Sequence, residues 1–149
     1  MTIAILVLNG PNLNLLGSRE PAVYGQTSLQ EVEAELRELG TALGARVDFV
    51  QSNHEGVLVD AVQAARGRYQ GLVVNLGGYT HSSVALRDAF AASEIPFVEI
   101  HVSNVYDREG FRRRSLVAPL AAGVVIGFGP AGYRLALRGL VARLGLGPA

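Results

Sequence analysis

Cysteine is absent from the 149-residue chain and so is lysine, all 13 basic residues being arginine. The first absence excludes disulfides, thiol nucleophiles and cysteine metal sites. The second excludes a lysine Schiff base, a lysine-bound pyridoxal phosphate and a P-loop lysine. Tryptophan is also missing, which leaves no indole to stack on a flavin ring. Formal net charge is zero, which argues against broad nucleic-acid binding. No apolar run approaches the ~20 residues of a membrane span. The run IAILVL at residues 3–8 has no basic flank and no small-residue cleavage site, so it makes a poor signal peptide. A cytoplasmic protein is expected, with no membrane or nucleic-acid partner. Hydrophobic residues at 49% against 17% charged speak against disorder. The length suits one domain over residues 1–149 with a full core.

Apolar runs alternate with helical patterns. Strands are expected at 3–8, 47–51, 72–76, 97–102 and 123–128. Several are continuous Val/Ile/Leu runs, as in parallel strands buried on both faces. Ser28-Leu-Gln-Glu31 is a capping box, and apolar residues at 29, 32, 36, 39 and 43 then form one helical face. Gly44 supplies the stop. Further helices are expected over 55–67, with Asn53 as a cap, over 83–93 and over 131–144. A short extra helix is expected within 111–120. Five strands alternating with helices indicate an α/β fold, a flavodoxin-like doubly wound parallel sheet in order 2-1-3-4-5.

Such sheets bind ligands beyond the carboxyl ends of their strands, where the strand order switches. Three polar exits should meet there. Strand 1 leaves through NGPNLNLLGSREPAVYGQT at 9–27, strand 3 through NLGGYTHSS at 75–83, and strand 4 through EIHVSN at 99–104. Singly, each has an ordinary explanation. Asn9, Asn12 and Asn14 turn chains, His81 and Ser82 can cap the third helix, and His101 can be a satisfied core histidine. Together at one sheet end they favour a site. His54, in SNHEG, reads mainly as part of a helix start. Gly127-Phe-Gly129-Pro-Ala-Gly132 matches a dinucleotide fingerprint, yet no later strand can bring the ribose-binding acid, so it reads as a tight turn. Within Arg112-Arg113-Arg114, one guanidinium binding a carboxylate is the better reading than nucleic acid.

The pieces LNGPNLNLLGSREPAVYG, SNHEG, NLGGYTHSSVALRDA and EIHVSNVYDREGFR, with a glycine-rich last strand, resemble the type II 3-dehydroquinate dehydratases. They span nearly the whole chain. The resemblance implies a hydro-lyase of the shikimate pathway acting on 3-dehydroquinate without cofactor, metal or Schiff base. By position, Tyr24 matches the catalytic base, Arg19 the residue that helps ionise it, and His101 the general acid. Asn12 matches the residue that holds a water near the enolate, and Glu99 the acid that orients the histidine. Asn75, His81, Asp88, Val102, Ser103 and Arg112 match the substrate-binding set. A homododecamer of four trimers is also implied. Val57, Arg114, Leu116 and Ala118 depart from the commonest family pattern, and none of them has an assigned catalytic role.

The implied chemistry gives the long first loop a purpose. A proton leaves the carbon beside a ketone, charge builds on the ketone oxygen, and a β-hydroxyl departs as water. Free tyrosine, with a pKa of about 10, is a poor base near neutrality, and a guanidinium such as Arg19 favours its phenolate. The loop carries both residues and reads as a lid that closes over substrate. Three other readings of the fold compete. A flavin carrier needs a hydroxyl-rich phosphate loop after strand 1. A phosphoacceptor domain needs an acid after strand 3 and a lysine after strand 5. A pure binding module would lack turnover.

Overall fold

The computed structural model of the chain describes residues 2–18, 20, 22 and 26–145. Among these, five parallel strands form one sheet, β1 (Ile3–Asn9), β2 (Ala45–Gln51), β3 (Gly71–Asn75), β4 (Phe97–His101) and β5 (Gly123–Ile126). Their order is β2-β1-β3-β4-β5, as the alternation of patterns predicts. The helices are α1 (Leu29–Leu43), α2 (Glu55–Ala65), α3 (Val84–Ser93) and α4 (Ala131–Arg143). None is long and apolar enough to cross a membrane.

The period of two along each strand divides the core between the faces. Ile5, Val7, Val73, Val98 and Ile100 pack with Val32 and Leu36 of α1 and with Ala136, Leu137 and Leu140 of α4. Leu6, Leu8, Leu72, Val74 and Phe97 face the other way, onto Leu58 and Val62 of α2 and Leu86 and Phe90 of α3. Each fully buried aliphatic side chain contributes about 1.5–3 kcal/mol. The central strands are therefore rigid mounts for whatever their last residues carry.

Helix ends follow the sequence in part. Ser28 caps α1 by accepting the Glu31 amide at 3.2 Å, and Gly44 closes it at φ +80°. Asn53 does not cap α2. His54 occupies the cap position without a side-chain bond, and the Asn53 carbonyl oxygen accepts the Asn12 amide instead, at 2.9 Å. Nor do His81 and Ser82 cap α3, because Ser83 accepts the Leu86 amide at 2.9 Å. The extra helix expected over 111–120 resolves into two separate 3-10 turns, Gly110–Arg113 and Ala118–Leu120. The glycine pattern after β5 is a tight turn, with Gly127 at φ +92° and Gly129 at φ +65°. Its amides donate to the carbonyls of His101 and Val102 and so fasten the end of β4.

Candidate active site

The carboxyl ends of β1, β3 and β4 open on one crevice of about 130 Å³. Two close backbone approaches shape it. A Cβ on Gly10 would lie 2.3 Å from the Leu76 carbonyl oxygen, and one on Gly77, at φ +57°, would lie 3.0 Å from that of Pro11. The exits of β1 and β3 therefore pack backbone to backbone, and side chains there would force them apart.

From β4, His101 and Ser103 reach the crevice, with Val102 between them. Residues 97, 99 and 101 share a face by strand alternation. Glu99 therefore lies beside His101 in the buried sheet, and His101 Nε2 sits 2.5 Å from Glu99 Oε2. The second carboxylate oxygen accepts the Ser115 hydroxyl at 2.8 Å. Both residues are almost fully buried, as a charged group requires if its partners are to offset desolvation. With Nε2 committed to Glu99, Nδ1 is the ring nitrogen left for a ligand.

His81 follows β3, its ring stacked 6.3 Å from that of His101. Its Nδ1 lies 2.7 Å from the Arg114 carbonyl oxygen, which fixes Nδ1 as the protonated nitrogen and leaves Nε2 as an acceptor. Burial holds the His81 pKa below the ordinary histidine value, partly opposed by that carbonyl. Arg114 and Leu116, which depart from the family pattern, serve here through their backbones. The Leu116 amide donates to the Thr80 carbonyl and its own carbonyl accepts Arg87 Nη1. A changed side chain leaves those bonds in place. Val57 is exposed on α2.

Asn75 ends β3 and is almost fully buried. Its Nδ2 donates to the Tyr133 hydroxyl at 2.9 Å, and its Oδ1 accepts the Gly77 amide at 3.2 Å. Tyr133 in turn donates to Asn9 Oδ1 at 2.6 Å. Complete burial pushes the Tyr133 phenol pKa up, so this hydroxyl stays protonated. Two arginines complete the wall. Arg112 gives its Nε to Glu109 at 3.2 Å, and Arg108 donates Nη1 to Ser103 Oγ at 3.2 Å.

A family model described as Dehydroquinase class II matches residues 3–141. The chain belongs to this family. It is a hydro-lyase of the 3-dehydroquinate dehydratase type. A 3-dehydroquinate dehydratase from Nostoc sp. is 57% identical over 142 residues, covering 95% of this chain and 97% of the relative. A catabolic 3-dehydroquinase from Penicillium rubens is 52% identical, across 90% of this chain and 86% of its own. The crystal structure of a type II dehydroquinase from Butyrivibrio crossotus matches with a TM-score of 0.90 at 42% identity, covering 93% of this chain and 97% of that one.

Against this dehydroquinase fold, the structure gathers Asn12, Asn75, His81, His101, Ser103 and Arg112 around one crevice. Val102 lines it as well, and Glu99 stands behind His101. Asn12 is held at φ +70°, a backbone conformation that asparagine tolerates better than most residues. Asp88 does not join them. It is exposed on α3 and lines neither this crevice nor the cavity behind His101. Tyr24 and Arg19 lie outside the described residues, as does most of the proposed lid. The dehydroquinase crevice also holds Arg108, which sequence reasoning passed over although it stands in the quoted stretch VYDREGFR. Among the described residues, no group of three or more His, Asp or Glu side chains gathers as a metal ion would need.

Proposed function

We propose that the chain dehydrates 3-dehydroquinate to 3-dehydroshikimate in the shikimate pathway through an enolate, with tyrosinate as base and imidazole as acid. Membership of the class II dehydroquinases supports the reaction. The observation that carries the acid half is a strand-borne His101 whose Nε2 is taken by buried Glu99 while the ring lines the crevice. To donate a proton from Nδ1, the ring must carry positive charge, and the carboxylate beside it compensates that charge. The departing hydroxyl then leaves as water.

The base half rests on residue matching. Tyr24, as phenolate beside Arg19, takes the proton from the carbon next to the ketone. Asn12, whose amide is fixed on Asn53, holds a water against the enolate oxygen. Glu109 occupies Arg112 Nε, so the two terminal NH₂ groups of this guanidinium supply the donors for the substrate carboxylate. Ser103, His81 and Asn75 fix its hydroxyls. Asp88, exposed on α3, takes part in binding by meeting the crevice of another copy. A dodecamer of four trimers would supply such neighbours, and light scattering giving a fully active monomer would remove it. A cytoplasmic location fits a small-molecule pathway enzyme. The Penicillium relative is named catabolic, and the same dehydration serves biosynthesis and breakdown alike.

Adding 3-dehydroquinate and following the ultraviolet absorbance of the conjugated enone tests the reaction directly. No absorbance would refute it. Borohydride with substrate should leave the enzyme active, since the chain has no lysine to form an imine. Replacing Tyr24 by Phe should cost several orders of magnitude in kcat. Turnover near the wild-type rate would exclude the tyrosinate.

A further inference from the structure

We infer that Tyr133, buried in α4 behind the sheet, is a positioning residue that makes Asn75 present an N–H, and not a carbonyl, to the substrate. The inference rests on the reading of Asn75 as a substrate contact.

The polarity follows from one backbone group. The Gly77 amide can only donate, and it faces an Asn75 side-chain atom at 3.2 Å. That atom must therefore be the carbonyl oxygen, since an NH₂ there would set donor against donor. The NH₂ is thereby turned to the Tyr133 hydroxyl at 2.9 Å, which must accept. A phenol has one proton, and it goes to Asn9 Oδ1 at 2.6 Å. Every group in this chain is thus assigned, from the Gly77 amide to Asn9.

One hydrogen of the Asn75 NH₂ remains. Asn75 lines the crevice, so this hydrogen is the group it offers to a ligand, and a hydroxyl or carbonyl oxygen is what it recognises. Tyr133 itself is completely inaccessible and touches no ligand. Its contribution is to remove the amide's rotational choice before substrate arrives. Asn9 Nδ2 at the far end has no hydrogen-bond partner. That cost is accepted where Asn9 Oδ1 receives the phenol proton.

The test is a cycle of Tyr133→Phe, Asn75→Ala and the double variant, with 3-dehydroquinate as the probe. Tyr133→Phe keeps the ring and should raise KM about tenfold, the scale of one hydrogen bond, with kcat within about threefold. Asn75→Ala should raise KM at least as far. The double variant should be no worse than Asn75→Ala alone, because Tyr133 acts through that amide. If Tyr133→Phe leaves KM unchanged, or if the two effects multiply, the positioning role is wrong while Asn75 stands as a contact. If Asn75→Ala itself leaves KM unchanged, the underlying reading fails and the inference with it. Val141→Ala thins the buried face of the same helix and should lower Tm without moving KM. A KM rise there would show general loosening and overturn the inference. Should Tyr133→Phe not fold, Asn9→Ala carries the same test. A KM rise of about threefold that vanishes in the Asn75→Ala background supports it, and no rise refutes it.

Discussion

Two neighbouring strands deliver side chains to the same crevice and hold them by opposite means. At the end of β4, His101 is held by a carboxylate on its own strand, 2.5 Å away. At the end of β3, Asn75 is held by a neutral phenol from a helix and a backbone amide. The braces also stand on opposite faces of the sheet, His101 with Phe97 on the α2/α3 side and Asn75 with Val73 on the α1/α4 side. The difference matches what each residue is asked to do. A general acid changes charge during the reaction and needs a counter-charge in place. A binding amide changes nothing and needs a fixed direction, which neutral hydrogen bonds supply without burying an ion.

Breaking the charged brace should cost the most. His101→Ala should lower kcat by about 10²–10⁴, the usual contribution of a positioned acid, with a smaller change in KM. Glu99→Gln keeps the shape and removes the charge. It should lower kcat by about ten- to a hundredfold, the loss of one charge-assisted bond, and steady-state kinetics separates it from His101→Ala. Ser115→Ala acts one step further back. It removes the bond to Glu99 and an acceptor used by the Val117 and Ala118 amides. Thermal melting should show about 1–2 kcal/mol lost, with kcat falling only about two- to fivefold.

The smallest effect concerns His81. Its folded pKa lies below the ordinary value, so near and below pH 6.5 the unfolded chain binds more protons than the folded one. Stability from this group is complete above about pH 6.5 and is lost as pH falls through the lowered folded value. Melting curves between pH 7.5 and 5 should show a decline that His81→Asn reduces. An unchanged slope would remove His81 as its source.

The sheet was legible because β1, β3 and β4 are nearly unbroken apolar runs, a pattern that parallel burial leaves in sequence. The Glu99 and His101 pairing was legible for a local reason, two positions apart on one strand. The neutral brace was not. Tyr133 lies 58 residues from Asn75 and 124 from Asn9, and a tyrosine within AGYRLAL reads as ordinary helix core. Asn53 misled for a similar reason. Its position before α2 suits a cap, but the β1 exit passes close enough to claim its oxygen. The 105–121 stretch was read as one helix because short 3-10 turns carry little periodicity. Asp88 matched by sequence position, yet its exposed place on α3 separates it from this chain's own crevice.

The division of labour between a base on the β1 loop and an acid on β4 is the central claim. It is tested most directly by giving His101→Ala 3-dehydroquinate in deuterated water and measuring two signals from one sample. Deuterium entering the carbon beside the ketone reports proton abstraction, and enone absorbance reports loss of water. Exchange should persist near the wild-type rate while absorbance growth falls by about 10²–10⁴. If both fall together, or neither falls, His101 is not the acid of a stepwise enolate route.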